Sequence, residues 1–165
     1  GKIWGNKGGT AVALRFNGHR LAFVNTHLAA HAEKWERRNT DIGNIVQEVH
    51  FGIYNQVEFH TQYTTFWLGD MNYRVEMDRV EAAAVCDAGQ CEELFAHEQL
   101  KREMAKGLLD GFVEGELTFR PTYKLDPLVC HLLRCAAPPM MRTLLVVQPR
   151  YFLTLSTLLL ALPSP

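Results

Sequence analysis

The segment Thr64-Thr65-Phe66-Trp67-Leu68 constrains the fold more than any other part of the chain. β-Branched, aromatic and aliphatic residues in succession suit a buried strand, and Gly69 ends the run. Directly behind the glycine come Asp70 and Asn72, with Arg74 just beyond. A strand of this kind needs covering layers, and the remaining sequence has to provide them.

Thr10 to Phe16 alternates apolar and small residues, and Arg20 to Thr26 is again apolar-rich. Between them stands Asn17-Gly18, where both residues tolerate positive φ, which predicts a hairpin with His27 emerging at the end of its second strand. Trp35, Ile42, Ile45, Val46 and Val49 recur at helical spacing, which predicts a helix from about Ala32 to Val49 with one apolar face. Arg37, Arg38 and Asp41 then fall largely on other faces. Gly43 weakens this helix by about 1 kcal/mol relative to alanine. Residues 51–62 read as a polar connection with scattered aromatics. Asp78 suits the N-cap of a short helix through Val85, and Glu92 to Lys106 reads as another helix with Leu94, Phe95 and Leu100 inward. Gly111 to Gly115 is turn-rich, and Leu117 to Phe119 reads as a short strand ending at Pro121. Without an internal repeat, the mixture of strands and helices predicts a layered domain of both element types.

A length of 165 residues suits one domain, and 47% apolar content can supply its core. The formal net charge of −1 advertises neither nucleic acid nor an anionic membrane surface, so any phosphate binding has to rest on a local basic cluster. Cys86, Cys91, Cys130 and Cys135 lack paired C-x-x-C spacing, and no secretion signal is recognisable, which points to a reduced, cytoplasmic setting. No compact Cys/His set suits zinc. From about Leu128 the charged residues nearly vanish, so residues 1–127 read as the domain and residues 128–165 as a divergent apolar, Pro/Leu-rich tail. A transmembrane span is not expected, because Gln148-Pro149-Arg150 interrupts a run that would need about 20 apolar residues.

Gly-Asp-x-Asn has an ordinary meaning as turn chemistry and a chemical one. In metal-assisted phosphoester hydrolysis a carboxylate takes a proton from the attacking water, and a nearby carboxamide holds that water or a phosphoryl oxygen. Read this way, Asp70 is the base and Asn72 the holder. Arg74 suits a phosphate or a structural ion pair with Glu76 or Asp78 equally well. His27 reads either as a satisfied structural ring or as a group for the same cleft. The loop Asn6-Lys7-Gly8-Gly9 is either a flexible turn or a cradle presenting backbone N–H groups and one ammonium to an anion. Tyr123 and Lys124, on their own, read as solvated loop residues.

Taken in order, Trp4-Gly5-Asn6-Lys7-Gly8-Gly9-Thr10, Val24-Asn25-Thr26-His27-Leu28, Glu36-Arg37-Arg38-Asn39, Gly69-Asp70-Met71-Asn72 and Phe119-Arg120-Pro121-Thr122-Tyr123-Lys124 closely resemble the central part of the inositol polyphosphate 5-phosphatase catalytic domain. The resemblance covers roughly residues 1 to 127. It implies a deoxyribonuclease-I-like four-layer α/β sandwich, incomplete at both ends, and Mg²⁺-dependent attack of water on the 5-phosphate of a phosphoinositide head group or soluble inositol polyphosphate. It further implies that His27, Asp70 and Asn72 carry the chemistry, with His27 donating to a non-bridging phosphoryl oxygen. Asn6, Lys7, Tyr123 and Lys124 would by the same resemblance contact phosphates, the last pair gripping the 4-phosphate; Arg74 joins them as a candidate substrate contact on its residue type alone. Arg37, Arg38 and Asn39 fit the family's helix pattern and are assigned to packing and charge balance.

The pattern also breaks. The family's metal-holding Glu and a further active-site Asn fall upstream of Gly1. A motif of the Pro-Ala/Ser-Trp-Cys-Asp-Arg type and a closing Asp-His pair have no match between Leu128 and Pro165. The expectation is a partial domain with crippled metal binding and with uncovered sheet edges and apolar faces. Two other functions remain open: a nuclease of the same superfamily, and a non-catalytic chain that binds inositol phosphates or fails to fold. A lipid substrate leaves room for peripheral membrane contact; nucleic acid is not expected, and no protein partner is indicated.

Overall fold

The computed structural model describes residues 6–52, 59–115 and 117, together with the backbone of residues 146–147. Strand β1 (Gly8–Phe16) turns back into β2 (His19–His27), with antiparallel register from Gly8↔His27 to Phe16↔His19. The hairpin turns on Asn17 and Gly18 at φ 47° and 81°, the positive pair the sequence requires. β3 (Thr64–Asp70) lies parallel to β2, and its register carries Leu21↔Thr64 through to His27↔Asp70. The crossover between them holds a 3₁₀ turn (Ala32–Lys34), helix α1 (Trp35–Glu48) and one helical turn, α2 (Phe59–Gln62), inside the stretch expected to be a loop. The sheet order is β1-β2-β3-β4, where β4 (Val146–Val147) pairs antiparallel with Phe66 and Trp67.

One face of the sheet forms the core. Ala22, Val24 and Trp67 are fully buried there against Ile42 of α1, Phe59 of α2 and Phe112. Full burial of a side chain the size of Val24 or Ile42 contributes about 1.5–3 kcal/mol. The Trp67 indole donates its Nε1–H to Thr26 Oγ1 at 3.2 Å, so its polar atom is not orphaned. The opposite face carries Val12, Leu14 and Phe16, exposed at 61%, 43% and 44%, in line with the expectation of uncovered apolar surface.

Helix α3 (Arg79–Asp87) begins as expected, with Asp78 Oδ1 accepting from Val80 N at 2.8 Å and Glu81 N at 3.3 Å, and it runs two residues past Val85. Two expectations fail. Arg38 is not on an outer face: four residues before Ile42, it shares that residue's inward stripe and is fully buried. The expected helix from Glu92 to Lys106 is broken into a 3₁₀ segment (Cys91–His97) and α4 (Gln99–Ala105). Glu98 is extended at ψ 130° and bridges Val75, while His97 O accepts from Glu76 N at 2.8 Å and Gln99 N donates to Arg74 O at 2.9 Å. Those pairings with the segment behind β3 outcompete helix continuation. The short strand at Leu117–Phe119 falls mostly outside the described residues.

Candidate active site

β2 and β3 run parallel, and their C-terminal ends deliver His27 and Asp70 side by side. Open α/β sheets bind ligands at such ends. The chain can bring the strands this close because residue 69 is glycine. At φ 110° its Cβ would stand 2.2 Å from Thr26 O and 2.6 Å from Thr26 N. The close approach made possible is thus one of backbone to backbone.

His27 Nε2 lies 3.6 Å from Asp70 Oδ2, with the two side chains 51% and 35% exposed. Lys7, one residue before β1, places Nζ 2.5 Å from the same Nε2. An ammonium has only donors, so Nε2 accepts and the ring proton sits on Nδ1. One cation, one imidazole and one carboxylate therefore converge on a point open to solvent.

Asp70 Oδ1 accepts from Asn72 N at 3.1 Å, which anchors that oxygen and leaves Oδ2 facing His27. Asn72 stands at φ 58°, a left-handed conformation that asparagine tolerates better than most residues. Its carboxamide ties the loops together: Nδ2 donates to Leu28 O at 3.0 Å, and Oδ1 accepts from Arg74 Nη2 at 2.8 Å. Arg74 Nε adds a bond to Asn72 O at 3.1 Å. Leu28 N donates to Asp70 O at 2.9 Å, so the residues after the two strands are cross-bonded in both directions.

His27, Asp70, Asn72, Arg74 and Lys7 are thus brought together, with Asn6 exposed beside Lys7. Tyr123 and Lys124 lie outside the described residues. The two carboxylates considered for Arg74 have other engagements: Glu76 accepts from Gln99 and Arg102, and Asp78 caps α3. Sequence reasoning missed Gln99, whose buried amide reaches the backbone of Arg74, and no local signal marks it.

A family model described as Endonuclease/Exonuclease/phosphatase family 2 matches residues 1–129. The chain belongs to this family. Among curated relatives, it is 39% identical over 128 residues to the mouse type II inositol 1,4,5-trisphosphate 5-phosphatase, covering 74% of this chain and 13% of that protein. It is 41% identical over 132 residues to the mouse phosphatidylinositol 3,4,5-trisphosphate 5-phosphatase 1, covering 75% and 11%. The solved inositol polyphosphate 5-phosphatase domain of SPsynaptojanin, in complex with inositol (1,4)-bisphosphate and calcium ion, matches with TM-score 0.68 and 31% identity over 74% of this chain and 36% of that one. The fold is therefore part of the deoxyribonuclease-I-like α/β architecture. A Cimex nitrophorin in a ferrous NO complex matches with TM-score 0.56 at 22% identity, covering 86% of this chain and 46% of that one, which shows the fold alone.

For this family member the metal question rests on donors. Among the described residues no group of three or more His, Cys, Asp and Glu side chains is placed to hold a metal ion. Asp70 supplies a carboxylate, but the described donors do not make a complete cation site. Nor, among the described residues, is any helix long and apolar enough to cross a membrane.

Proposed function

We propose that the chain carries the reacting face of a phosphatase that removes the 5-phosphate from a phosphoinositide head group or a soluble inositol polyphosphate. The observation that carries this reading is the convergence of Lys7, His27 and Asp70 at the ends of two parallel strands, in a chain similar to proteins named as 5-phosphatases. Asp70 Oδ2 takes a proton from the attacking water, its partner oxygen being held by Asn72 N. An arriving phosphate draws the Lys7 ammonium away from His27. Nε2 then takes a proton from solvent while Nδ1 returns one, and the exchanged tautomer presents Nε2–H to a non-bridging oxygen and stabilises developing charge. Asn72 keeps a second Nδ2 hydrogen beyond the one given to Leu28, and that hydrogen holds the water or a phosphoryl oxygen. Asn6, Arg74, Tyr123 and Lys124 contact the remaining phosphates, and Mg²⁺ is the proposed ion. Residues 1–127 are the proposed domain and 128–165 a divergent tail; the setting is cytoplasmic, with peripheral contact where the substrate is a lipid.

Competition distinguishes this reading from a nuclease of the same fold. Inositol 1,4,5-trisphosphate should displace a fluorescent inositol phosphate from the chain, while duplex DNA at equal phosphate concentration should not. Displacement by DNA alone would assign the site to nucleic acid, although a net charge of −1 offers it little attraction.

A further inference from the structure

The reacting residues stand at the ends of β2 and β3 or just beyond, and one buried pair of side chains holds the two loops that follow. Arg38 of α1 is fully buried, and its guanidinium is spent on backbone oxygens of the segment that follows His27. Nη1 donates to Ala29 O at 2.9 Å and His31 O at 2.6 Å, and Nη2 to Ala32 O at 3.3 Å. Arg38 Nη2 also donates to Gln99 Oε1 at 2.6 Å. That same oxygen accepts from Arg74 N at 3.1 Å, and Gln99 N returns a bond to Arg74 O at 2.9 Å. Gln99 Nε2 donates to Ala32 O at 3.0 Å and Glu76 Oε1 at 2.9 Å. All four hydrogen-bonding positions of the Gln99 amide are in use.

We infer that Arg38 and Gln99 are positioning residues: together they set the separation of His27 from Asp70 and Asn72 by fixing the loops behind β2 and β3 to one another. The chemistry suits the task. A guanidinium presents a rigid fork of donors that can hold several carbonyls of one loop, and a glutamine offers both an acceptor and donors to bridge two chains. Neither side chain touches the reacting point. Their influence runs through Leu28, whose N and O bond Asp70 and Asn72, and through Arg74, whose guanidinium holds the Asn72 carboxamide. The assignment of Arg38 to packing and charge balance is thereby extended to the geometry of the site. Small displacements of reacting groups cost about 10²-fold in rate.

The test is Gln99→Met, which keeps length and removes every side-chain hydrogen bond, beside Arg38→Lys, which keeps charge and loses the fork. Gln99→Glu retains the shared acceptor oxygen. Two readouts are taken on the full chain. The first is the ring resonances of His27 by NMR, with His19 at the far end of β2 as internal control. Gln99→Met should move the His27 signals and leave those of His19 in place, and Gln99→Glu should bring them back toward the original positions. The second rests on the phosphatase reading: kcat for phosphate release from inositol 1,4,5-trisphosphate should fall about 10²-fold in Gln99→Met with KM changed less than about threefold. Where the unaltered chain releases no phosphate, the phosphatase reading fails for it while the NMR comparison still decides the positioning role. A folded Gln99→Met or Arg38→Lys chain whose His27 resonances stay where they were overturns the inference. Arg38→Lys serves where Gln99→Met does not fold.

Discussion

His27 and Asp70 are register partners in the parallel pair β2–β3, and at its C-terminal end their side chains stand 3.6 Å apart, Nε2 to Oδ2. The sheet pairs their backbones, and the loops behind β2 and β3 then fix how far apart the side chains stand. A slip of one residue in register would send one of the two side chains to the opposite face. The chemistry proposed for the site thus depends on the same hydrogen-bonded ladder that buries Val24 and Trp67.

If Asp70 is the base, Asp70→Ala should lower turnover of inositol 1,4,5-trisphosphate by about 10²–10⁴-fold while leaving its affinity within about threefold. Initial rates and a calorimetric titration measure the two separately. Residual turnover above a few per cent removes Asp70 from that role.

Gly69→Ala should be among the most damaging single changes in the chain. The new methyl would meet Thr26 backbone atoms at 2.2 and 2.6 Å in a conformation that side chains rarely adopt. A loss of about 3 kcal/mol or more is expected in urea unfolding. A loss below about 1 kcal/mol would mean that β2 and β3 are not held this close.

Lys7→Met leaves His27 without its ammonium neighbour and removes a cation from the proposed phosphate site. Affinity for inositol 1,4,5-trisphosphate should fall about tenfold, the size of one charge-assisted hydrogen bond, and should depend less steeply on salt. Unchanged affinity would place Lys7 outside the binding surface.

Glu114 offers a test by pH. Burial pushes its carboxyl up to about 7, against the opposing pull of Lys101. Because the folded chain holds this proton more tightly than the unfolded chain, the stability linked to it is fully present below the ordinary carboxylate value and is lost as pH rises through about 7. Glu114→Gln should therefore be more stable than the original chain at pH 8, by about 1 kcal/mol after solvent screening, and equal to it near pH 4. Thermal unfolding at the two pH values measures the difference. A variant no more stable at pH 8 than at pH 4 relative to the original contradicts the assignment.

Elements specified by neighbouring residues were legible in the sequence. Asn17-Gly18 determines its own turn, and Asp78 caps its own helix. Arg38 was misplaced because its partners are not local: its burial depends on carbonyls across a loop and on Gln99, 61 residues away. The break at Glu98 has the same origin, since the pairing of residues 97–99 with the segment behind β3 is invisible to helical periodicity. In the site, residue types pointed to His27, Asp70 and Asn72, but only the parallel register brings them together. The Lys7–His27 contact follows from hairpin register, which pairs Gly8 with His27 and carries Lys7 to the same end of the sheet.

The most direct measurement is product analysis after incubating the chain with inositol 1,4,5-trisphosphate and millimolar Mg²⁺, beside Asp70→Ala. The account predicts free phosphate and inositol 1,4-bisphosphate, and neither product from the variant. Loss of a different phosphate, equal release by Asp70→Ala, or no release at all would contradict it.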